Sequence, residues 1–339
     1  MKSILFVVTK SDVGGAQKWV KEQVDICNSH FLCYVATNRD GWLTRCVDTN
    51  KIYCDTLIEN RMSLTYLKRL NSYIRDNRID IVVANSANAG IYTRILKILN
   101  PGTKVIFVSH GWSAIYNGNK LRWIYIQVEK FLSYFSDSIL CISEFDYSNA
   151  KKVIGISKKK LKKITNSIIP LENKISTLNG KIKILTVMRI SAPKRLDLLV
   201  SAVKDVEVEL HVFGEGDLRG SIEEISPNNV FFHGEVEAFN EFNDYDVFCL
   251  ISDSEGLPLS ALEAMSCGMP LILSKVGGCV ELIDGNGWLV ENHVESIKNV
   301  IINNIDNFAA KGRGSEYLFE KKFNLLKNRL KYIDYYNNI

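Results

Sequence analysis

The sequence predicts an α/β protein built from two consecutive doubly wound domains, each with a parallel sheet covered by helices on both faces. The chain has 339 residues, which is enough for two domains of ordinary size. Short continuous runs of Val, Ile and Leu alternate with segments of helical periodicity, the pattern of strands buried on both faces. The alternation pauses at a polar, turn-rich segment after Pro170, which we interpret as a linker, and then restarts.

The first half opens with an apolar run at residues 4–8. We interpret this run as a buried strand and not as a signal peptide, because it stops after five residues at Thr9 and Lys10. A Gly14-Gly15 turn follows the strand. The other predicted elements are helices at 16–27 and 64–77 and strands at 31–36, 79–84, 105–108 and 138–142.

The second half repeats the alternation. Its predicted strands lie at 182–187, 209–213, 230–232, 247–250 and 270–273. Its predicted helices lie at 196–203, 259–267 and 295–305, with one long amphipathic helix at 316–336. Ligands of open parallel sheets bind beyond the carboxyl ends of the strands, so the expected site is the cleft between the two domains.

Composition excludes several classes of protein. No apolar run approaches the ~18–20 residues of a membrane span. The eight cysteines include no CxxC pair and several lie within apolar runs, so we interpret them as small buried residues of a reducing compartment. The five histidines do not cluster with the cysteines, so no metal site is expected.

Charge divides the chain into two unlike halves. Residues 1–170 carry 25 Lys and Arg against 13 Asp and Glu, a net charge of +12, whereas residues 171–339 carry 17 against 25, a net charge of −8. This asymmetry indicates an anionic surface or ligand near the first half. The densest cluster, seven lysines within residues 151–163, has the alternative interpretation of a solvated helix face. No nucleic-acid-binding signature accompanies it, so nucleic acid is not an expected partner.

The strongest local motif follows the predicted strand at 247–250. Unpaired N–H groups at the start of a helix bind anions or hydroxyls. Taken singly, Glu255 could simply stabilise the helix dipole and Glu263 could lie on an exposed face, but the complete string indicates a ligand site. The string consists of Glu255, Gly256, Leu257, Pro258, Leu259 and Glu263.

This string, continued by Ala264-Met265-x-x-Gly268-x-Pro270, resembles the retaining nucleotide-sugar glycosyltransferases of family 4, which have the GT-B fold. The resemblance spans most of the chain and is most specific between residues 185 and 290. Its other motifs are Gly14-Gly15-Ala16-Gln17, Ile164-x-Asn166-x-Ile168, Arg189-x-Ser191-x-x-Lys194, Gly214-Glu-Gly216, Val230-x-Phe232-x-Gly234, Gly277-Gly278-x-x-Glu281 and Gly287-x-Leu289-Val290.

The resemblance implies the domain organisation. An acceptor-binding Rossmann-like domain is expected at 1–170 and a nucleotide-sugar-binding Rossmann-like domain at 171–318, facing each other across a central cleft. The C-terminal helix at 319–339 is expected to pack back on the first domain. Acceptor specificity would depend on loops of the first domain, such as 85–88 and 112–119.

The resemblance also implies residue roles. Glu255 would stabilise positive charge at the anomeric carbon of the donor sugar, and His110, at the end of an apolar strand, would contact sugar and acceptor. A hydrogen-bonded structural role is the alternative for His110. Glu263 would accept hydrogen bonds from ribose hydroxyls. The implied donor-binding residues are Gly14, Gly15, Arg189, Lys194, Gly214, Gly256, Leu257, Leu259 and Glu263.

Physical chemistry fits these roles. Arg189 offers a planar fork and Lys194 a compact charge to diphosphate oxygens. Gly14 and Gly15 after the first strand permit positive φ angles and close backbone approach, so that N–H groups can point at phosphate.

At a few positions the sequence departs from the family pattern or matches a motif of other proteins. Met188 replaces the usual Gly before Arg189, which would loosen the expected turn, and Arg195 would add charge near the diphosphate. Ser143 is expected to cap a helix. Asp244-x-Asp246 matches a metal-binding DxD only formally, because it opens a strand.

The resemblance therefore implies a cytoplasmic retaining glycosyltransferase that needs no metal or other cofactor. It would move a sugar from a UDP- or GDP-sugar to a hydroxyl of a glycan or lipid-linked acceptor, in surface polysaccharide or glycolipid biosynthesis. Its basic first half would make peripheral contact with the anionic inner face of the membrane that anchors the acceptor. The alternative is a non-catalytic GT-B protein that binds a nucleotide-sugar or serves as a scaffold. A sugar-nucleotide epimerase of the same fold is disfavoured by the family-4 string.

Overall fold

The computed structural model divides the chain into two compact units. The first unit comprises Met1–Asn166 together with Leu326–Ile339, and the second comprises Ser167–Leu325. The sequence placed the corresponding limits at 170 and 319. The structure describes residues 1–112, 115, 121–171, 180–237 and 239–339. Most of the linker after Pro170 and most of the 112–119 loop lie outside the described residues.

The first unit contains one parallel sheet of seven strands. Their order across the sheet is β3-β2-β1-β4-β5-β6-β7, so the direction of winding reverses between β1 and β4. The strands are β1 Ser3–Val7, β2 Leu32–Thr37, β3 Ile52–Cys54, β4 Ile81–Ala84, β5 Lys104–Ser109, β6 Ser138–Cys141 and β7 Leu161–Lys163. Strands β1 and β4 are buried along their whole length, as their continuous apolar sequences predict.

Among the described residues of the first unit, six helices alternate with these strands, as the doubly wound fold requires. They are α1 Gly15–Cys27, α2 Trp42–Cys46, α3 Leu64–Asp76, α4 Ala87–Leu99, α5 Arg122–Ser133 and α6 Glu144–Asn149.

The second unit repeats the plan with six parallel strands in the order β10-β9-β8-β11-β12-β13. Here the winding reverses between β8 and β11. The strands are β8 Ile182–Val187, β9 Val208–Phe213, β10 Val230–Gly234, β11 Val247–Leu250, β12 Leu271–Ser274 and β13 Gly287–Val290. The helices are α7 Leu196–Val203, α8 Arg219–Glu224, α9 Leu259–Ser266, α10 Val294–Asn304 and α11 Phe308–Lys322. The predicted pair of Rossmann-like sheets is confirmed.

The prediction of one long C-terminal helix at 316–336 is wrong. Two helices occupy this region, α11 and α12 Leu325–Asn337, and the helical structure is interrupted between them. The reason is a competing set of backbone hydrogen bonds. The Ile168 N–H donates to the Phe323 carbonyl at 3.0 Å, and the Leu325 N–H donates to the Ile168 carbonyl at 2.8 Å. These bonds replace the helical ones at the break.

Helix α12 packs into the first unit. The hydroxyl of Tyr336 donates to Gln23 Oε1 at 2.9 Å, and its buried ring meets the rings of Phe6 and Phe31 edge-on. The last turns of the chain therefore complete the core beside β1.

The lysine-rich segment 151–163 is not a helix face, so that alternative is corrected. It consists of a π-helical turn at Ala150–Ile154, a 3₁₀ turn at Lys158–Lys160 and strand β7. All eight cysteines are free. Six of them are buried, as predicted, but Cys46 and Cys54 are exposed, so the prediction is wrong for these two. Among the described residues, no helix combines the length and the apolar character needed to cross a membrane.

Candidate functional site

In the second unit, the predicted site residues gather at the carboxyl ends of β8 and β11, the two strands between which the winding reverses. Arg189 and Lys194 lie in the loop after β8, and Glu255 follows β11. Two backbone hydrogen bonds hold that loop to the end of β11, from the Arg195 N–H to the Ile251 carbonyl and from the Asp253 N–H to the carbonyl of residue 193, both at 2.9 Å. Such a switch point is the usual ligand position in open α/β sheets.

Lys194 and Glu255 form an ion pair between Nζ and Oε1. The side chains are only 19% and 10% exposed. The sequence assigned the lysine to the diphosphate and the glutamate to the sugar, as separate functions. Because the two groups are in contact, a ligand that binds to one of them also changes the surroundings of the other.

Two glycines fix the backbone of Glu255. Gly277 has a φ of +50°, and a Cβ atom placed on it would lie 1.8 Å from the Glu255 carbonyl oxygen. A Cβ atom on Gly278 would lie 2.0 Å from the carbonyl oxygen of Gly256. The Gly278 N–H also donates to the Glu255 carbonyl at 3.3 Å. The Gly-Gly motif is therefore explained by direct backbone packing beneath the glutamate.

A second pair of glycines packs beside Arg189. Cβ atoms on Gly214 and Gly216 would lie 1.8 and 2.1 Å from the carbonyl oxygens of Met188 and Ile190, the residues on either side of Arg189. The loop after β9 thus supports the backbone of the arginine, whose side chain is exposed. Among the described residues outside glycine, only Arg78 and Asp205 have positive φ, so Met188 adds no backbone strain.

Arg195 does not add free charge to the site, contrary to the expectation. Its guanidinium donates to Asp197 at 2.8 and 3.0 Å and approaches Asp253 at 3.4 Å. The hydrogen bond with Asp197 is the main cause that raises the pKa of Arg195, and burial opposes it. The two carboxylates neutralise this cation. Arg189 is exposed, and Lys194, although paired with Glu255, stays the second predicted diphosphate ligand.

Helix α9 begins at Leu259, and Pro258 is its N-cap. Gly256 and Leu257 form the turn that leads into it. Glu263 on α9 is 8% exposed, so the alternative of an exposed face is wrong. Glu263 is therefore buried on the helix that follows the Glu255 loop.

In the first unit, His110 lies directly after β5 and Asn85 directly after β4, at the carboxyl ends of these two neighbouring strands. His110 Nε2 is 3.1 Å from Asn85 Oδ1, while Asn85 Nδ2 donates to the Val83 carbonyl at 3.0 Å. Because that second bond orients the amide, Oδ1 faces the ring, and Nε2 must carry the proton. Trp19 on α1 meets the imidazole edge-on at 5.3 Å.

Burial lowers the pKa of His110 to about 4, so the ring is neutral at neutral pH. Nδ1 then remains as an acceptor. Asn85 was noted in the sequence only as part of a specificity loop; the signal for it was a polar residue immediately after a buried strand. The hydrogen bond with Asn85 agrees with the structural alternative for His110. Its contact with sugar and acceptor stays a prediction.

Gly14 and Gly15 lie where the loop after β1 enters α1, at the switch point of the first sheet. Neither glycine has a positive φ, since Gly14 is extended with φ of 179° and Gly15 is the first residue of α1. The N-terminus of α1 follows, and the Gly14 carbonyl accepts from the Lys18 N–H at 2.9 Å. Close approach to a helix N-terminus, and not a left-handed turn, is what these glycines can offer.

Three further residues have structural roles. Ser143 Oγ accepts from the Asp146 N–H at 3.0 Å and caps α6, as predicted. Glu144 forms an ion pair with Lys163. Asp246 Oδ2 accepts from the Lys183 N–H at 2.7 Å at the start of β11, the end opposite to Glu255. Within the described parts of the chain, no group of three or more His, Cys, Asp or Glu residues could hold a metal ion.

Comparison with known proteins agrees with this architecture. Residues 181–307 match the family described as "Glycosyl transferases group 1", and residues 16–170 match "Glycosyltransferase Family 4". The O-antigen biosynthesis glycosyltransferase WbnH of Escherichia coli is 40% identical over 300 residues, 88% of each chain. The UDP-Gal:alpha-D-GlcNAc-diphosphoundecaprenol alpha-1,3-galactosyltransferase of Escherichia coli is 24% identical over 331 residues, 87% of this chain and 86% of its own.

Solved structures share the fold. The crystal structure of Anabaena Alr3699/HepE in complex with UDP and glucose superposes with a TM-score of 0.84 and 16% identity, covering 100% of both chains. Two Rossmann-like units, each with a parallel sheet and with predicted site residues at the strand ends, thus define a GT-B glycosyltransferase. The chain belongs to the family-4, group 1 glycosyltransferases.

Proposed function

We propose that this protein is a retaining hexosyltransferase that uses a UDP-sugar and acts on a hydroxyl of a lipid-linked glycan during assembly of a surface polysaccharide of the O-antigen type. The observation that carries the proposal is Glu255 at the switch point, where Lys194 pairs with its carboxylate and Gly277 packs against its backbone carbonyl. An intact pair of this kind favours catalysis over the alternative of a non-catalytic binding protein.

The relatives support the choice of substrates. The names of the similar proteins include O-antigen biosynthesis, a UDP-Gal donor and an acceptor linked to diphosphoundecaprenol. The structures with the same fold include complexes with UDP and UDP-glucose. A UDP-sugar is therefore proposed ahead of a GDP-sugar, and a lipid-linked glycan ahead of a free one.

The residues suit a reaction in which the departing diphosphate develops negative charge. Arg189 and Lys194 would stabilise that charge, and the proposed reaction involves no metal ion. Glu255 would stabilise positive charge at the anomeric carbon. Neutral His110, with its Nε2 proton engaged by Asn85, would accept a hydrogen bond from a sugar hydroxyl through Nδ1. Orientation and electrostatics, and not a nucleophilic side chain, would supply the rate enhancement.

The test is a transfer assay on the full chain. UDP-glucose, UDP-galactose, their N-acetylated counterparts and GDP-mannose would be offered with a short-chain lipid diphosphate-linked GlcNAc acceptor, with Glu255→Gln as the inactive control. We expect one UDP-sugar to be transferred and the new linkage to have the α configuration of the donor. A β linkage would contradict retention, and donor binding without transfer would favour the non-catalytic alternative.

A further inference from the structure

Helix α5 of the first unit exposes most of its large apolar residues to solvent and buries polar ones. Three of its residues are buried, Glu129, Leu132 and Ser133, and two of these are polar. Its large apolar residues instead reach solvent, with Trp123 69% and Phe131 61% exposed. The exposed apolar residues in and flanking α5 are Leu121, Trp123, Ile124, Tyr125, Val128, Phe131 and Tyr134.

The spacing of these residues makes a continuous stripe. Leu121, Ile124, Val128 and Phe131 follow one another at intervals of three and four residues, which places them on one face of a helix. The same periodicity places Trp123 at the border of this face, on the side of Phe131, and we include it in the stripe. A helix of a globular protein ordinarily turns such a face inward. An outward stripe of this size marks a surface that contacts something apolar.

Buried polar contacts hold α5 in this orientation. Arg94 on α4 is fully buried, and its Nη1 lies 2.9 Å from Glu129 Oε2. The same guanidinium stacks over the ring of Phe107 at 4.2 Å. Rotating the stripe inward would expose or break this buried ion pair, which is costly. The outward apolar face is therefore a property of the folded unit.

Lysines surround the carboxyl end of α5. Lys160 Nζ donates to the carbonyl oxygens of Ser133, Tyr134 and Ser136 at 2.8–2.9 Å, so this lysine is a structural cap. Lys130 on α5 lies next to Gly155, within the lysine-rich segment.

The remaining charges of the segment are on the surface. Lys163 pairs with Glu144, which leaves five of the seven lysines exposed and outside these contacts. They are Lys151, Lys152, Lys158, Lys159 and Lys162.

We propose that the stripe of α5 and these five lysines form one docking surface for an anionic lipid bilayer. Aromatic and aliphatic side chains would enter the boundary between headgroups and acyl chains while the lysines contact anionic headgroups. An apolar contact and a basic patch together provide the two signals that stable peripheral binding needs. The proposal goes beyond the transfer reaction and does not depend on which sugar is moved.

Charge argues for lipid over a second copy of the chain. A symmetric contact of this surface with itself would bring two lysine clusters together, and like charges across an interface oppose association. An anionic bilayer offers the complementary charge over an extended plane. Self-association through α5 is therefore the competing outcome that the experiment must detect.

The test is sedimentation of the full chain with vesicles of neutral phosphatidylcholine, with and without 30 mol% anionic phosphatidylglycerol. We expect binding to anionic vesicles that weakens, but does not vanish, as the Debye length falls from ~10 Å at 0.1 M salt to ~3 Å at 1 M. Trp123→Ser with Phe131→Ser should lower the partition coefficient at both salt concentrations by about tenfold or more. Replacing the five exposed lysines by Gln should remove the salt-dependent part.

Matched controls make the result specific. Met62→Ser with Tyr317→Ser removes two equally exposed apolar side chains elsewhere and should bind vesicles as the wild type does. Trp123→Phe should retain binding but lose the blue shift of tryptophan emission on anionic vesicles. Melting curves check that each variant folds, and transfer to a water-soluble acceptor should be unchanged in all of them. The proposal is overturned if the α5 variant binds vesicles like the wild type, or if α5 instead mediates dimerisation in analytical ultracentrifugation without vesicle binding.

Discussion

Lys194 and Glu255 form an ion pair although 61 residues separate them in the chain. The pair links the loop after β8 to the loop after β11, across the point where the winding of the second sheet reverses. The two residues proposed to act on neighbouring parts of the donor, its diphosphate and its sugar, therefore support each other before any ligand binds. This relationship leads to the first prediction.

We expect Lys194→Ala to lower the free energy of unfolding by about 1–3 kcal/mol, because the buried Glu255 carboxylate loses its cationic partner. Adding Glu255→Gln should restore part of the loss, since the unpaired charge is then removed. Urea denaturation of the two single variants and the double variant gives the coupling energy, expected at about 0.5–3 kcal/mol. Strictly additive effects would show that the pair contributes nothing to stability.

Arg189→Ala should weaken binding of the UDP-sugar at least tenfold, because each charge-assisted hydrogen bond contributes about 1.5–3 kcal/mol. Its melting temperature should not change, since the side chain is exposed. Calorimetric titration with UDP measures the affinity. Arg313→Ala, at another exposed arginine of the second unit, is the matched control. Equal affinities in the two variants would remove Arg189 from the site.

The two buried glutamates should give different kinetic signatures. Glu255→Gln preserves shape but removes charge beside the reacting carbon, so kcat should fall more than donor affinity. Glu263→Gln should act mainly on KM for the donor, through the proposed ribose contact. Steady-state kinetics with the preferred donor separate these effects. Lowered melting temperatures with no specific kinetic change in either variant would assign both residues to structure alone.

Gly277→Ala should reduce both stability and kcat. The positive φ costs about 1–2 kcal/mol in any L-residue, and the new Cβ atom would also collide with the Glu255 carbonyl. Gly285→Ala is the matched control, because Gly285 also has a positive φ, of +79°, but no described atom within 4 Å of the added Cβ. We expect a comparable strain in that variant with normal kcat. Equal losses of kcat in both would mean that the Gly277 contact does not position the glutamate.

His110 should make stability depend on pH. Its pKa is about 4 in the folded protein and near 6.5 when unfolded, so the unfolded chain binds the proton first as the pH falls. The stability that His110 contributes is complete above pH 6.5 and is lost between about pH 6.5 and 4, up to about 3 kcal/mol. Urea denaturation of the wild type and His110→Gln from pH 7.5 to 4.5 measures the difference between them. Parallel pH profiles would contradict the low pKa.

Much of the fold was predictable from the sequence because parallel strands buried on both faces are continuous apolar runs. The bounds of β8 and β11 agree with those predicted, at 182–187 and 247–250. Strand β7 was missed, since its Leu-Lys-Lys sequence has no apolar run and its pairing with β6 is set by the neighbouring strand. Short edge strands of this kind are determined by their partners.

The sequence by itself determined the two α/β repeats, the family motifs and the residue types available at the strand ends. Only the tertiary structure decided which of these residues meet, as Lys194 does with Glu255 and Asn85 with His110. The tertiary structure also decided that the apolar side of α5 faces solvent. Periodicity shows that a helix has an apolar side, but the direction of that side depends on distant groups, here the buried Arg94 that holds Glu129 inside.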